Sequence, residues 1–134
     1  MDMFAGSGIM SFEAISRGFQ QVTCFDCDKN SINEIKLNAK NLAVENIAAY
    51  VARVPNVLYK LQKNNEQFSV IYIDPPYYAQ LYTDTLKHIV ASNILAQNGI
   101  VVVEYPQDVY VDLSGFELLK QKVYSNKNVA FLTK

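Results

Sequence analysis

The chain has 134 residues, a formal net charge of −1 and 50% hydrophobic residues, enough apolar material for one core-forming domain spanning residues 1–134. No apolar run approaches membrane-spanning length and the opening residues lack the order of a secretory signal, so the expectation is a cytoplasmic protein without a membrane partner. Two cysteines, Cys24 and Cys27, are too few for a disulfide framework. A pI near 5.8 means that any grip on nucleic-acid phosphate has to come from a local Lys/Arg cluster.

Phe4-Ala5-Gly6-Ser7-Gly8 opens the pattern as a glycine turn before a helix over Ile9–Arg17, with Gly18 placed to end it. Only Met1-Asp2-Met3 precedes the turn, whereas a strand needs about five residues, so the first strand is expected to be largely missing. Val22–Phe25 is a short β-branched run, followed by Asp28 as the cap of a helix carrying Ile32, Ile35, Ala39 and Leu42 on one face. Strands are expected at Tyr50–Val54, Phe68–Ile73 and Ile100–Val103, with helices over Asn56–Lys63 and Leu81–Ala96 and a turn at Asn98-Gly99. Phe116–Val123 and Val129–Leu132 flank Ser125-Asn126-Lys127-Asn128 and read as an antiparallel hairpin at the sheet edge. Strand alternating with helix, each strand nearly continuously apolar, predicts an α/β fold with a doubly wound, mostly parallel sheet.

Three stretches carry chemistry. Gly6 and Gly8 let backbone approach a ligand ahead of a helix N-terminus, and Asp2 beside them suits a cationic group; the alternative is a tight turn with no ligand. Asp26 stands about 20 positions after the turn, at the end of the second strand, where ribose hydroxyls are held in such folds. Cys24 and Cys27 have the spacing of a zinc or redox pair, but His88 lies in a distant helical pattern and no further cysteine exists. No metal site is therefore expected, and the thiols read as buried or half-buried.

Asp74-Pro75-Pro76-Tyr77 directly follows a strand, at the carboxyl edge where α/β sheets place ligands. The Asp74 carboxylate and the Pro75 carbonyl offer two acceptors to the two hydrogens of an exocyclic amine, and the Tyr77 ring can stack on a base. Accepting both hydrogens draws the nitrogen lone pair out of conjugation and aims it at a methyl donor. The alternative is a proline-stiffened loop with an Asp cap.

The chain resembles the RsmD family of bacterial methyltransferases. The likeness runs over Asp2-Met3-Phe4-Ala5-Gly6-Ser7-Gly8, Phe12-Glu13-Ala14-Ile15-Ser16-Arg17-Gly18, Asp26-Cys27-Asp28, Ile73-Asp74-Pro75-Pro76-Tyr77, Val102-Val103-Glu104 and Lys122-Val123-Tyr124. The resemblance implies a Rossmann-like S-adenosylmethionine-dependent methyltransferase fold and transfer to the N2 amine of a guanine in 16S ribosomal RNA. It implies RNA or the small-subunit particle as partner, with Asp2, Phe4, Gly6, Gly8 and Asp26 lining the cofactor site and Asp74, Pro75 and Tyr77 holding the guanine. Where the family has an Asp-Ala pair near the cofactor adenine, this chain reads Val54-Pro55-Asn56-Val57, making Asn56 the candidate for that contact. The family's basic arm and most of its first strand are not in this sequence, which is expected to be N-terminally truncated. An adenine-N6 or other amino methyltransferase, and a non-catalytic fragment, are the alternative functions.

Overall fold

The computed structural model describes every residue except Tyr77 and Tyr78, together with the side chains of all described residues other than Ala79 and Gln80. The residues form two compact units, Met1–Arg53 and Val54–Lys134.

In the first unit, α1 (Ile9–Ser16) follows the glycine turn, and β1 (Val22–Asp26), α2 (Lys29–Asn41) and β2 (Ile47–Val51) complete it. α1 ends as its sequence demands. Gly18 takes φ +92, its N–H reaches the Ile15 carbonyl at 2.9 Å and the Phe19 N–H reaches Ala14 at 3.1 Å, so two orphan carbonyls of the last turn are satisfied. The Asp28 carboxylate caps α2 by accepting the N–H groups of Asn30 and Ser31. Ile32 and Ile35 of α2 are buried with Ala5, Cys24 and Ala49 in one core cluster, and Ala39 of the same helix is buried as well. Leu42, expected on that stripe, is exposed: it is the C-cap residue, where the helix face no longer turns inward.

β1 and β2 are parallel, with Val22 opposite Ile47 and Asp26 opposite Val51. The strand expected at Tyr50–Val54 thus begins three residues earlier, at Ile47. The weakly β-forming Ala48 and Ala49 are recruited by the ladder with β1, which outweighs local propensity. On the other side of β1, Asp2 forms a parallel bridge with Cys24. The Asp2 N–H bonds to the Thr23 carbonyl and the Ala5 N–H to the Phe25 carbonyl, each at 2.9 Å. These few residues occupy the place of a first strand and deliver the glycine turn to the end of β1.

The second unit comprises α3 (Asn56–Lys63), β3 (Phe68–Ile73), α4 (Ala79–Ala91), β4 (Leu95–Pro106), β5 (Glu117–Tyr124) and β6 (Lys127–Thr133). Its sheet has the order β3-β4-β6-β5; β3 and β4 are parallel, while β6 is antiparallel to both β4 and β5. Ile71, Ile73, Val101, Val103, Ala130 and Leu132 are fully buried in alternation along these strands, and Tyr82, Leu86 and Ile89 of α4 are equally buried.

Several boundaries in this unit differ from the sequence expectation. The last helix ends at Ala91, and Leu95, expected on it, begins β4. Lys134 stops the helix by donating from Nζ to the carbonyls of Ile89, Val90 and Ser92 at 2.7–3.1 Å, an ammonium satisfying exposed carbonyls at a helix C-terminus. Asn98-Gly99 does not turn the chain out of the sheet. Asn98 takes φ 59, but the pair sits inside β4, where the ladder jumps from Phe68 opposite Leu95 to Val70 opposite Ile100. The turn signal is absorbed as a strand irregularity. The hairpin is tighter than expected: Tyr124 pairs with Lys127, so only Ser125 and Asn126 turn the chain and Lys127 belongs to β6.

Candidate functional site

Each unit gathers one set of candidate residues. In the first, Gly6 and Gly8 both have positive φ, 50 and 80, but they differ in what surrounds them. A Cβ on Gly6 would meet nothing within 4 Å, whereas one on Gly8 would lie 2.7 Å from Ile35 Cγ1. Gly6 leaves the loop open to a ligand, while Gly8 lets α1 pack against α2. Asp26 organises the same loop: its Oδ2 accepts the Gly6 N–H and its Oδ1 the Asp28 N–H, each at 2.8 Å. Each oxygen keeps a lone pair for a further donor, such as a hydroxyl.

Asp2 is buried at 4% exposure. Its Oδ2 accepts the Ser11 hydroxyl at 2.8 Å, and its Oδ1 has no hydrogen-bond partner among the described residues. Burial pushes its carboxyl above the ordinary range, against the pull of the Ser11 hydroxyl and the Phe4 backbone N–H. An orphaned buried carboxylate oxygen is costly, and a cationic or hydrogen-donating ligand relieves that cost. Phe4 is half-buried in the same loop. Ser11 lies on α1 without any sequence signal beyond its helical spacing, and sequence reasoning missed it. Of the thiols, Cys24 is buried, with its pKa raised by burial to about 11, whereas Cys27 is exposed because it points away from the core just beyond the end of β1.

Asn56, the remaining cofactor candidate, is the exposed first residue of α3 in the second unit. Asp2, Gly6 and Asp26 belong to the other unit.

Asp74 and Pro75 follow β3 in the second unit. The ladder that sets Ile73 opposite Val103 brings Asp74, just past the end of β3, alongside Glu104 within β4. Lys127 answers both: its Nζ lies 3.3 Å from Asp74 Oδ2 and 3.5 Å from Glu104 Oε2. Tyr72 Oη donates to Glu104 Oε1 at 2.7 Å. Burial, as the largest influence, raises the Asp74 pKa; Lys127 opposes it and Glu104 reinforces it. The Pro75 carbonyl, expected to be free, accepts the buried Tyr82 hydroxyl at 3.1 Å. This bond fixes the loop to α4 and leaves the second carbonyl lone pair available. Tyr77 lies outside the described residues. Lys127 and Tyr82 are not singled out as site residues in the sequence, where Lys127 reads as a turn residue, and Glu104 figures there only in the family motif Val102-Val103-Glu104.

The family model described as conserved hypothetical protein 95 matches residues 1–133. The chain belongs to the RsmD family. Among its relatives, ribosomal RNA small subunit methyltransferase D of Haemophilus influenzae is 32% identical over 124 residues, covering 91% of the chain. The chain spans 64% of that relative's length. A conserved hypothetical protein of Streptococcus pyogenes superimposes with a TM-score of 0.86 at 23% identity, covering 99% of the chain and 84% of its own. SMU.776, crystallised in complex with SAH, does so with a TM-score of 0.82 at 15% identity, covering 98% of the chain and 43% of its own. Both likenesses are of fold, and they place this RsmD-family chain among Rossmann-like α/β proteins.

Proposed function

We propose that this RsmD-family chain is the methyltransferase domain that transfers a methyl group from S-adenosylmethionine to the N2 amine of a guanine in small-subunit ribosomal RNA. The carrying observation is Asp74, a half-buried carboxylate held by Lys127 at the carboxyl end of β3, next to the Pro75 carbonyl. The name of the Haemophilus influenzae relative supports the RNA class, and the SAH complex of SMU.776 supports the cofactor.

The residues present fit that cofactor. The orphaned Asp2 Oδ1 suits a positively charged amino-acid moiety, the space at Gly6 admits close approach, and Asp26 retains lone pairs for a diol. S-adenosylmethionine supplies an electrophilic methyl group on a sulfonium. Asp74 accepts one hydrogen of the exocyclic amine and the Pro75 carbonyl the other, which localises the nitrogen lone pair and orients it. The Tyr82 hydroxyl bond keeps the Pro75 carbonyl from swinging away. The second Asp74 oxygen accepts from guanine N1–H, a donor that adenine lacks, which favours guanine over adenine.

The test is methyl transfer from labelled S-adenosylmethionine to 16S RNA, free or in 30S particles, read as N2-methylguanosine by nucleoside mass spectrometry. Label only on adenine, or no transfer to any RNA, would overturn the proposal.

A further inference from the structure

We propose that Lys127 is a positioning residue acting through Asp74, clamped between the Asp74 and Glu104 carboxylates so that both Asp74 oxygens stay acceptors for the bound guanine, one for its amine and one for its N1–H. The inference rests on the proposed role of Asp74 in holding the acceptor base.

The geometry begins with the sheet. Parallel pairing of β3 and β4 puts Asp74 one residue past Ile73 and Glu104 one residue past its partner Val103. In-register residues of parallel neighbours project to the same face, so two carboxylates meet at one strand end. Left alone, the Glu104 carboxylate favours the protonated form of Asp74, because like charges in a half-buried setting oppose one another. A protonated Asp74 would present a donor where the amine hydrogens need an acceptor.

Lys127 opposes this. It enters from the third strand, β6, opposite Pro106 of β4, and its side chain is only 28% exposed. Its Nζ stands 3.3 and 3.5 Å from the two Asp74 oxygens and 3.5 Å from Glu104 Oε2. Tyr72 steadies the other Glu104 oxygen from β3. Among the described residues, the charged groups facing Asp74 are Lys127 on β6 and Glu104 on β4, and they push its pKa in opposite directions. A lysine placed to hold RNA phosphate would face solvent; this one spends its charge on two carboxylates and aims the nearer one.

The two partners give opposite signatures. In Lys127→Met the acid limb of the kcat/KM–pH profile should move to higher pH and kcat at neutral pH should fall about tenfold or more, with KM for RNA little changed. Glu104→Gln, which keeps a hydrogen-bonding side chain for Tyr72, should move the limb to lower pH. Lys127→Arg should restore it towards wild type. A limb that stays in place in both Lys127→Met and Glu104→Gln, or a Lys127→Met defect confined to KM, would overturn the inference. An inactive wild-type chain would overturn the proposed function instead. The Asp74 carboxyl titration by 13C NMR on the full chain then decides for Lys127: it must rise in Lys127→Met and fall in Glu104→Gln, and an unmoved titration would overturn the role. If Lys127→Met fails to fold, Glu104→Gln carries the same test.

Discussion

The two candidate regions treat a buried carboxylate in opposite ways. Asp2, in the first unit, is almost wholly buried, receives a neutral hydroxyl from Ser11 and leaves one oxygen without a hydrogen-bond partner among the described residues. Asp74, in the second, is half-buried and answered by the Lys127 ammonium. The contrast separates two tasks. A carboxylate meant to receive a cationic ligand is best left uncompensated until that ligand arrives, whereas one that must accept hydrogens from a neutral amine needs a built-in counter-charge.

The largest expected effect is on transfer. Asp74→Ala should lower methyl transfer by about 10²- to 10³-fold, the scale of losing one preorganised hydrogen-bonding group, while calorimetric S-adenosylmethionine binding stays within about twofold. A mutant that kept wild-type turnover would remove the contrast at its second pole.

Asp2→Asn probes the first pole. Loss of the charge should weaken S-adenosylmethionine binding about tenfold or more, the usual scale for a charge-assisted hydrogen bond. Stability of the unliganded chain should meanwhile hold or rise at neutral pH, because a buried charge is removed. The sign of the pH dependence follows from the raised Asp2 pKa. The folded state binds the proton more tightly than the unfolded state, so this group's contribution to stability rises as pH falls from the raised value towards the ordinary carboxylate range. Below that range it is constant. Denaturant melts of Asp2→Asn against wild type should show this component flattened; an unchanged slope would mean that Asp2 is not the group responsible.

The two glycines sharpen the comparison within the first unit. Gly8→Ala should destabilise by about 1–3 kcal/mol, the range for overpacking a tight site, because φ 80 and the 2.7 Å approach to Ile35 Cγ1 combine. Gly6→Ala pays only for its φ and should lose more in cofactor affinity than in melting temperature. The smallest effect is expected at exposed Leu42, where Leu42→Ser should stay within about 0.5 kcal/mol.

What could be read from the sequence was local. Asp28 capping α2, Gly18 ending α1 and Asp74 placed just after β3 each depend on hydrogen bonds or dihedral needs reaching only a few residues along the chain. The family motifs rest on the same short stretches, which is why they marked the glycine turn and the Asp74 loop. Asn98-Gly99 shows the limit of such signals: a turn is expected there, but the pair's place inside β4 depends on the ladder with β3.

The Asp74 environment lay beyond that reach. Lys127 is 53 residues from Asp74 and reads as a turn residue until the β5–β6 pairing makes it the first residue of β6. Glu104 joins it only because β3 and β4 pair in parallel with Ile73 opposite Val103. Sequence alone placed a carboxylate at a strand end, since local backbone chemistry suffices for that. Its charge partners came from the register of three strands, which is set by burying one face of each and cannot be summed from neighbouring residues.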